Sequence, residues 1–224
     1  MKELIDGTRQ FKKNVYKTQK PLFQKLSKGQ HPKALFITCS DSRIAPNLIT
    51  QMQPGDLFVL RNAGNIVPPV SAGVTGQAAT IEFAVNALGV KDIVICGHSQ
   101  CGAIQALLDD PAKHKDLPTV LAWLEHAKPI RQMIDTLYHR MPEAKKLQKA
   151  IEQNVLLQLH NLQTLPAVAA KLASGGVRLH GWMYEFETGK MLAYSPKKDQ
   201  FINVTKDVAG GVYNVRPLQK LAAG

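Results

Sequence analysis

The sequence predicts an α/β fold: a mostly parallel β-sheet flanked by helices, with an antiparallel edge strand and an N-terminal helical arm. Three observations predict it. Short apolar runs of strand length alternate with longer amphipathic segments, the pattern of a parallel sheet crossed over by helices. A long strand-like run ends in Thr188-Gly189-Lys190, a hairpin signal that turns the chain back as an antiparallel strand. The first 33 residues carry narrow apolar stripes at helical spacing and no strand-like run.

The elements follow in order. Phe11, Val15 and Tyr16 form one stripe, and Leu22, Phe23 and Leu26 a second after Pro21. Both need a surface to pack on, and another subunit would supply it. The first strand is Ala34 to Thr38, which ends in the polar turn Cys39-Ser-Asp-Ser-Arg43. A helix spans Pro46 to Met52, Pro54-Gly55 turns, and residues 57–60 form the second strand. The loop from Arg61 to Pro69 is dense in Gly, Asn and Pro. Thr75 to Leu88 reads as a helix with Gly89 beyond its end. Residues 92–96 form the third strand, and Gly97 to Gly102 turns into a helix over 103–108. Helices follow over 119–137 and 143–173, and Ser174-Gly175-Gly176 breaks the second. A strand over 177–186 and its hairpin partner over 191–194 complete the core. The expected organisation is an arm at 1–33 that serves dimerisation, an α/β core at 34–195 and a tail at 196–224. The tail, from Phe201 onward, offers a further strand or a crossing to another subunit.

Composition narrows the class. The 224 residues are 45% hydrophobic and 20% charged, an ordinary globular balance. No run of about 18 apolar residues occurs, so no membrane helix is expected. The basic N-terminus leads into no apolar stretch, so a secretory signal is not expected and a cytoplasmic location is. Three cysteines make no disulfide framework and read as thiols of a reducing compartment. The formal net charge is +11, and nine basic residues against Glu3 and Asp6 put +7 of it in residues 1–33. This basic arm is read as a solvated helix face or a docking surface for an acidic partner.

The chemistry lies at two strand ends. Cys39 to Arg43 follows the first strand, and His98-Ser-Gln-Cys101 follows the third. In open α/β sheets, sites assemble at the carboxyl ends of strands. Two thiolates and one imidazole favour Zn²⁺, and three protein ligands leave a fourth position for water. His98 and Cys101, at i and i+3, are expected to point the same way from the first turn of a helix. Taken singly, Cys39 reads better as a buried small hydrophobe and His98 as a hydrogen-bonded turn residue. The two clusters together make the metal reading. Cys96, on the strand body, is read as core packing. Asp41 and Arg43 are two apart and suit an ion pair that fixes the carboxylate's orientation. If Asp41 itself took the fourth position, the site would be closed.

At these residues the chain resembles a β-class carbonic anhydrase, most of all the plant and cyanobacterial members, including the carboxysomal type. The resemblance runs from about Leu22 to Tyr194. It is carried by Gln30-His-Pro, CSDSR at 39–43, PGDLFVLRNAGNIVPP at 54–69, GHSQCG at 97–102 and LHGWMY at 179–184. It implies reversible, zinc-dependent hydration of CO₂ to bicarbonate and a proton by attack of zinc-bound hydroxide. Cys39, His98 and Cys101 become the zinc ligands, one ion per chain, and Asp41 and Arg43 the dyad beside the hydroxide. Gln30 matches the glutamine whose amide orients CO₂ or bicarbonate from the neighbouring subunit, and Phe58, Ala63 and Phe83 match the pocket lining. The resemblance also implies a homodimer or higher homo-oligomer and adds the carboxysome as a partner and location, beside the acidic protein partner that the basic arm suggests.

Two departures matter. Some members close the site at low pH and hold bicarbonate at an inhibitory site made of Trp, Arg and Tyr. Arg61 and Tyr184 match two of these, but Phe36 stands at the Trp position. An open, non-allosteric enzyme is therefore expected. Ala87 stands where plant members carry a His proposed as proton shuttle. Three other readings are weighed: an enzyme hydrolysing carbonyl sulfide or carbon disulfide, a catalytically inactive scaffold with a closed site, and a nucleic-acid module. The last is set aside, because the basic residues lack interleaved aromatics or an RNA-binding motif. No nucleic acid and no membrane is expected among the partners.

Overall fold

The computed structural model describes residues 1–204, in two compact units: Met1–His31 and a second beginning at Pro32. The last twenty residues of the expected tail lie outside the described residues.

The first unit is helical. It runs through α1 (Lys2–Gln10), a wide π-type turn (Phe11–Val15), α2 (Tyr16–Thr18) and α3 (Lys20–Leu26). None of these elements buries a residue. The two apolar stripes meet each other instead. The Phe23 ring stacks on Tyr16 at 5.4 Å and takes Phe11 edge-on at 5.6 Å. Leu4, Ile5 and Val15 remain exposed.

The second unit is built on six strands among the described residues: β1 (Ala34–Cys39), β2 (Leu57–Asn62), β3 (Asp92–His98), β4 (Arg178–Tyr184), β5 (Met191–Ser195) and β6 (Gln200–Asn203). The sheet order is β2-β1-β3-β4-β5-β6. β1 pairs in parallel with β2 and β3, and β3 with β4, whereas β5 and β6 are antiparallel to their neighbours. The expected antiparallel edge is thus two strands wide, because Gln200–Asn203 adds outside β5. The chain runs from β1 to β2 on one side and returns to β3 on the other. This reversal is a topological switch point, and it puts the carboxyl ends of β1 and β3 side by side.

The crossovers are helical: α4 (Pro46–Thr50), α5 (Gly76–Glu82), α6 (Gly102–Leu108), α7 (Pro118–Leu124), α8 (Lys128–Leu137), α9 (Glu143–Thr164) and α10 (Pro166–Ala173). α5 begins at Thr75, whose hydroxyl accepts the Ala78 N–H, and it continues as a π-turn to Ala87. The helix predicted over 143–173 is two helices. Pro166 lacks an N–H and bars helical geometry at Leu165, where the chain is extended. Pro129 likewise restarts the helix predicted over 119–137 at α8. No described helix is long and apolar enough to cross a membrane.

One sheet face carries Leu35, Ile37, Ile93, Ile95 and Leu179 against Val155, Leu159 and Leu162 of α9. The other carries Phe36, Val94 and Cys96. Cys96 is fully buried there, and burial pushes its thiol pKa up. α9 lies close to the sheet because β3 and β4 present glycine where it crosses. A Cβ on Gly97 would stand 2.9 Å from Val155 Cγ2.

Candidate metal centre

Cys39 is the last residue of β1 and His98 the last of β3, so the switch point sets them beside each other. Cys101 caps α6 one short turn later. The helical i, i+3 placement expected for His98 and Cys101 does not occur. His98 closes a strand, and the turn Ser99-Gln100, with Gln100 at φ +54°, swings the chain back before α6 begins. The ligand-capable atoms of the three side chains lie within 4.8 Å of one another, with the two sulfurs 3.9 Å apart. All three residues are buried, at 5%, 0% and 1% exposure.

The donor set fits a metal ion. His98 Nδ1 meets the Ser99 carbonyl at 2.8 Å, which makes Nδ1 the N–H donor and leaves Nε2 as a lone pair. That buried Nε2 has no hydrogen-bond partner among the described residues. A buried acceptor facing two thiols is costly unless a cation takes it. The thiols are electrostatically prepared. Hydrogen bonding from Cys101, helped by the backbone N–H of Gly64, outweighs burial and pulls the Cys39 thiol down. The Cys39 thiolate and burial push Cys101 up, against the N–H groups of Ala103 and Ile104 at the start of α6. A divalent cation is what permits both sulfurs to ionise together.

Asp41 and Arg43 sit in the turn after β1. Arg43 donates to both carboxylate oxygens, Nε to Oδ1 at 2.9 Å and Nη2 to Oδ2 at 2.8 Å, and its backbone N–H adds a third bond to Oδ1. The Arg43 guanidinium therefore holds the Asp41 carboxyl well below the usual carboxylate range. Arg61, from β2, donates to the carbonyls of Cys39 and Asp41 and ties the turn to the sheet.

A carbonic anhydrase family profile matches residues 34–191. The chain belongs to the β-carbonic anhydrase family. It is 44% identical to a carbonic anhydrase of Synechocystis sp. over 90% of its length and 74% of that protein's. It is also 44% identical to a carbonic anhydrase of Pseudomonas aeruginosa, over 92% of this chain and 93% of that one. Its fold superposes on the solved β-carbonic anhydrase CcaA with a TM-score of 0.90 at 43% identity, covering 92% of each chain. It superposes on a tetrameric β-carbonic anhydrase of Sordaria macrospora with a TM-score of 0.75 at 30% identity, covering 85% of this chain and 94% of that one. This carbonic anhydrase thus catalyses the reversible hydration of CO₂ to bicarbonate and a proton, and oligomers occur among its relatives.

The structure of this carbonic anhydrase brings some of the remaining predicted residues together. Phe58 of β2 and Phe83 after α5 face each other with ring centroids 6.0 Å apart, and Phe83 is 49% exposed. Ala63 precedes Gly64, whose N–H donates to Cys39 Sγ at 3.4 Å. Gly64 holds φ +78°, a conformation that favours glycine. Gln30 belongs to the first unit, exposed beyond the end of α3.

Sequence reasoning missed the residues that carry the 62–67 loop. Trp123 Nε1 donates to the Ala63 carbonyl at 2.9 Å. From α9, Asn154 donates to the Gly64 carbonyl at 2.9 Å and Asn161 to the Val67 carbonyl at 2.8 Å. Gln158 accepts the Val67 N–H at 2.8 Å. All three amides are buried. The available signal was Asn, Gln and Asn at i, i+4 and i+7 along an otherwise apolar helix face.

Proposed function

We propose that Cys39, His98 and Cys101 hold one Zn²⁺ per chain and that Asp41 and Arg43 are the orienting dyad of CO₂ hydration. The unpartnered Nε2 of buried His98 between two thiols carries the metal assignment. Two sulfurs and one imidazole suit zinc, and three ligands leave one position open. When bound, Zn²⁺ supplies a Lewis acid that generates a nucleophile from water near neutral pH. The chain's own residues do the rest. Asp41, ionised and clamped by Arg43, accepts a hydrogen bond from the nucleophile's O–H and so aims its lone pair. We assign Phe58, Ala63 and Phe83 to the apolar wall against which CO₂ rests, which the Phe58–Phe83 ring contact supports, and the Gln30 amide of a second subunit to donation toward the developing oxyanion. Residues 1–33 serve as the dimerisation arm, which the exposed Leu4, Ile5 and Val15 support.

Phe36 supports an open site that works at both neutral and alkaline pH. It is buried edge-on against Trp182, and it offers a bicarbonate no donor where a Trp would. Arg61 is engaged with the carbonyls of Cys39 and Asp41. Three free, buried thiols support a cytoplasmic location, and the basic arm suits an acidic protein partner, a carboxysome component included.

Stopped-flow CO₂ hydration, with metal content assayed on the same sample at pH 7 and 8.5, tests the reading. One zinc per chain with turnover at both values supports it. Zinc with no turnover at either overturns the dyad assignment, and turnover at pH 8.5 alone overturns the open site.

A further inference from the structure

The fork on Asp41 leaves part of the Arg43 guanidinium for other partners. Nη1 donates to Gln100 Oε1 at 3.4 Å, and Nη2 also reaches the Gln100 carbonyl at 3.2 Å. The guanidinium carbon lies 4.5 Å from the centroid of the Phe186 ring. The other end of the Gln100 amide faces the β4–β5 hairpin, where Nε2 donates to one oxygen of Glu187. Ser99 Oγ donates to the second Glu187 oxygen at 2.9 Å and accepts the Phe186 N–H at 3.0 Å. Glu187 thus ties together the two residues between His98 and Cys101 and reaches Arg43 through one of them.

The amide of Gln100 has a polarity, donor at one end and acceptor at the other. A carboxylate only accepts, so Glu187 draws the NH₂ end and turns Oε1 toward Arg43. The opposite flip would set an NH₂ group against a guanidinium, donor against donor. Arg43 needs this hold. Its side chain is 48% exposed, and a half-exposed arginine has several rotamers open to it. Gln100 also sits at φ +54° in a tight turn, which restricts where its side chain emerges.

We propose that Glu187 is a positioning residue for CO₂ hydration: it fixes the flip of the Gln100 amide, which steadies Arg43 and with it the Asp41 carboxylate. The inference rests on Asp41 and Arg43 being the orienting dyad. Glu187 touches neither substrate nor metal. It acts on the rate through two intermediaries.

The test uses the full-length zinc protein with Glu187→Ala, Glu187→Gln and Glu187→Lys. Glutamine keeps an oxygen for the Gln100 amide and can return an N–H to Ser99 Oγ, whereas lysine draws Oε1 and reverses the flip. We expect Glu187→Ala to lower kcat about threefold to tenfold, Glu187→Gln to stay within about twofold, and Glu187→Lys to fall below Glu187→Ala. Zinc content and melting temperature hold at wild-type values in all three. Gln100→Asn tolerates the positive φ but is too short to span both partners. It should match Glu187→Ala, and the double variant should lose nothing further. A crystal structure of Glu187→Ala should show Arg43 displaced from its two-point contact with Asp41. Wild-type kcat in Glu187→Ala, equal losses in the Ala and Gln variants, additive losses in the double variant, or losses that track zinc content would each overturn the proposal. Arg43→Gln separates the two levels. If it keeps wild-type turnover, the dyad assignment fails, whereas if it loses turnover while Glu187→Ala does not, only the Glu187 relay fails.

Discussion

His98 Nδ1 lies 2.8 Å from the carbonyl oxygen of Ser99, the next residue in the chain. A backbone carbonyl cannot donate, so the contact settles which ring nitrogen carries the proton. It needs no partner from elsewhere in the fold, because the turn that ends β3 supplies it. The free Nε2 is buried with Cys39 and Cys101 around it. Substituting His98 by Ala should therefore strip the zinc, with metal content falling to near background in the purified protein. Cys39→Ser and Cys101→Ser should do the same, and retention of full zinc in any of the three would remove that residue from the ligand set.

Metal removal should cost stability as well as activity. Ligand binding to the native state alone raises its stability by mass action, and the unpaired Nε2 and crowded thiols return when the ion leaves. Dialysis against a strong chelator should lower the melting temperature by several degrees, on the order of the shift expected for a few kcal/mol. Adding zinc back should restore both melting temperature and CO₂ hydration. An unchanged melting temperature would mean that the site is not a zinc site in the native protein.

Asp41 carries a different expectation. Its carboxylate is gripped by Arg43 rather than aimed at the three-residue cluster as a fourth ligand. Asp41→Ala should keep one zinc per chain and lower kcat by about tenfold to a hundredfold, the scale of a misplaced reacting group. Zinc loss in this variant would show Asp41 to be a ligand instead.

The parallel core was legible because its strands are short, apolar and closed by polar turns, and such runs leave little choice of period. Cys39 and His98 fell at strand ends, where the topology alone joins them. The helix boundaries were less legible. Pro166 lies inside a continuous apolar pattern, and periodicity does not register a missing N–H. The placement of Cys101 depended on Gln100 adopting φ +54°, a conformation that its residue type does not announce. The amides of α9 were invisible for another reason. Asn154, Gln158 and Asn161 read as polar positions on a helix, and only the fold shows that they are buried under the 62–67 loop.

That loop gives the next prediction. Asn154→Leu removes the donor to the Gly64 carbonyl and also strands Gln158 Nε2, which donates to Asn154 Oδ1 at 2.8 Å. Leaving buried groups unpaired should cost about 1–3 kcal/mol in urea denaturation. The loop also supplies the Gly64 N–H to Cys39 Sγ, so zinc affinity should weaken in the same variant. Weakened stability with wild-type zinc affinity would show that the loop reaches its position without Asn154.

The far end of the sheet supplies a pH dependence independent of the metal. Arg178 donates to both oxygens of Asp92, at 2.7 and 2.6 Å, and the His180 ring nitrogen lies 2.8 Å from Oδ1. The Arg178 hydrogen bonds hold the Asp92 carboxyl below the usual carboxylate range; burial opposes them, and the smaller contribution of His180 adds to the lowering. A carboxylate whose pKa is depressed on folding stabilises the native state above its unfolded value, about 3.9. That stability is lost as the pH falls through the lower folded value. Arg178 is 43% exposed at its side chain, so solvent screening limits the pair to about 1 kcal/mol. Urea denaturation of the wild type and Asp92→Asn should then differ by this amount at pH 6, and the gap should shrink below about pH 4 as Asp92 takes up its proton. A gap that persists undiminished into the acid range would mean that Asp92 contributes through shape and hydrogen bonding, not through its charge.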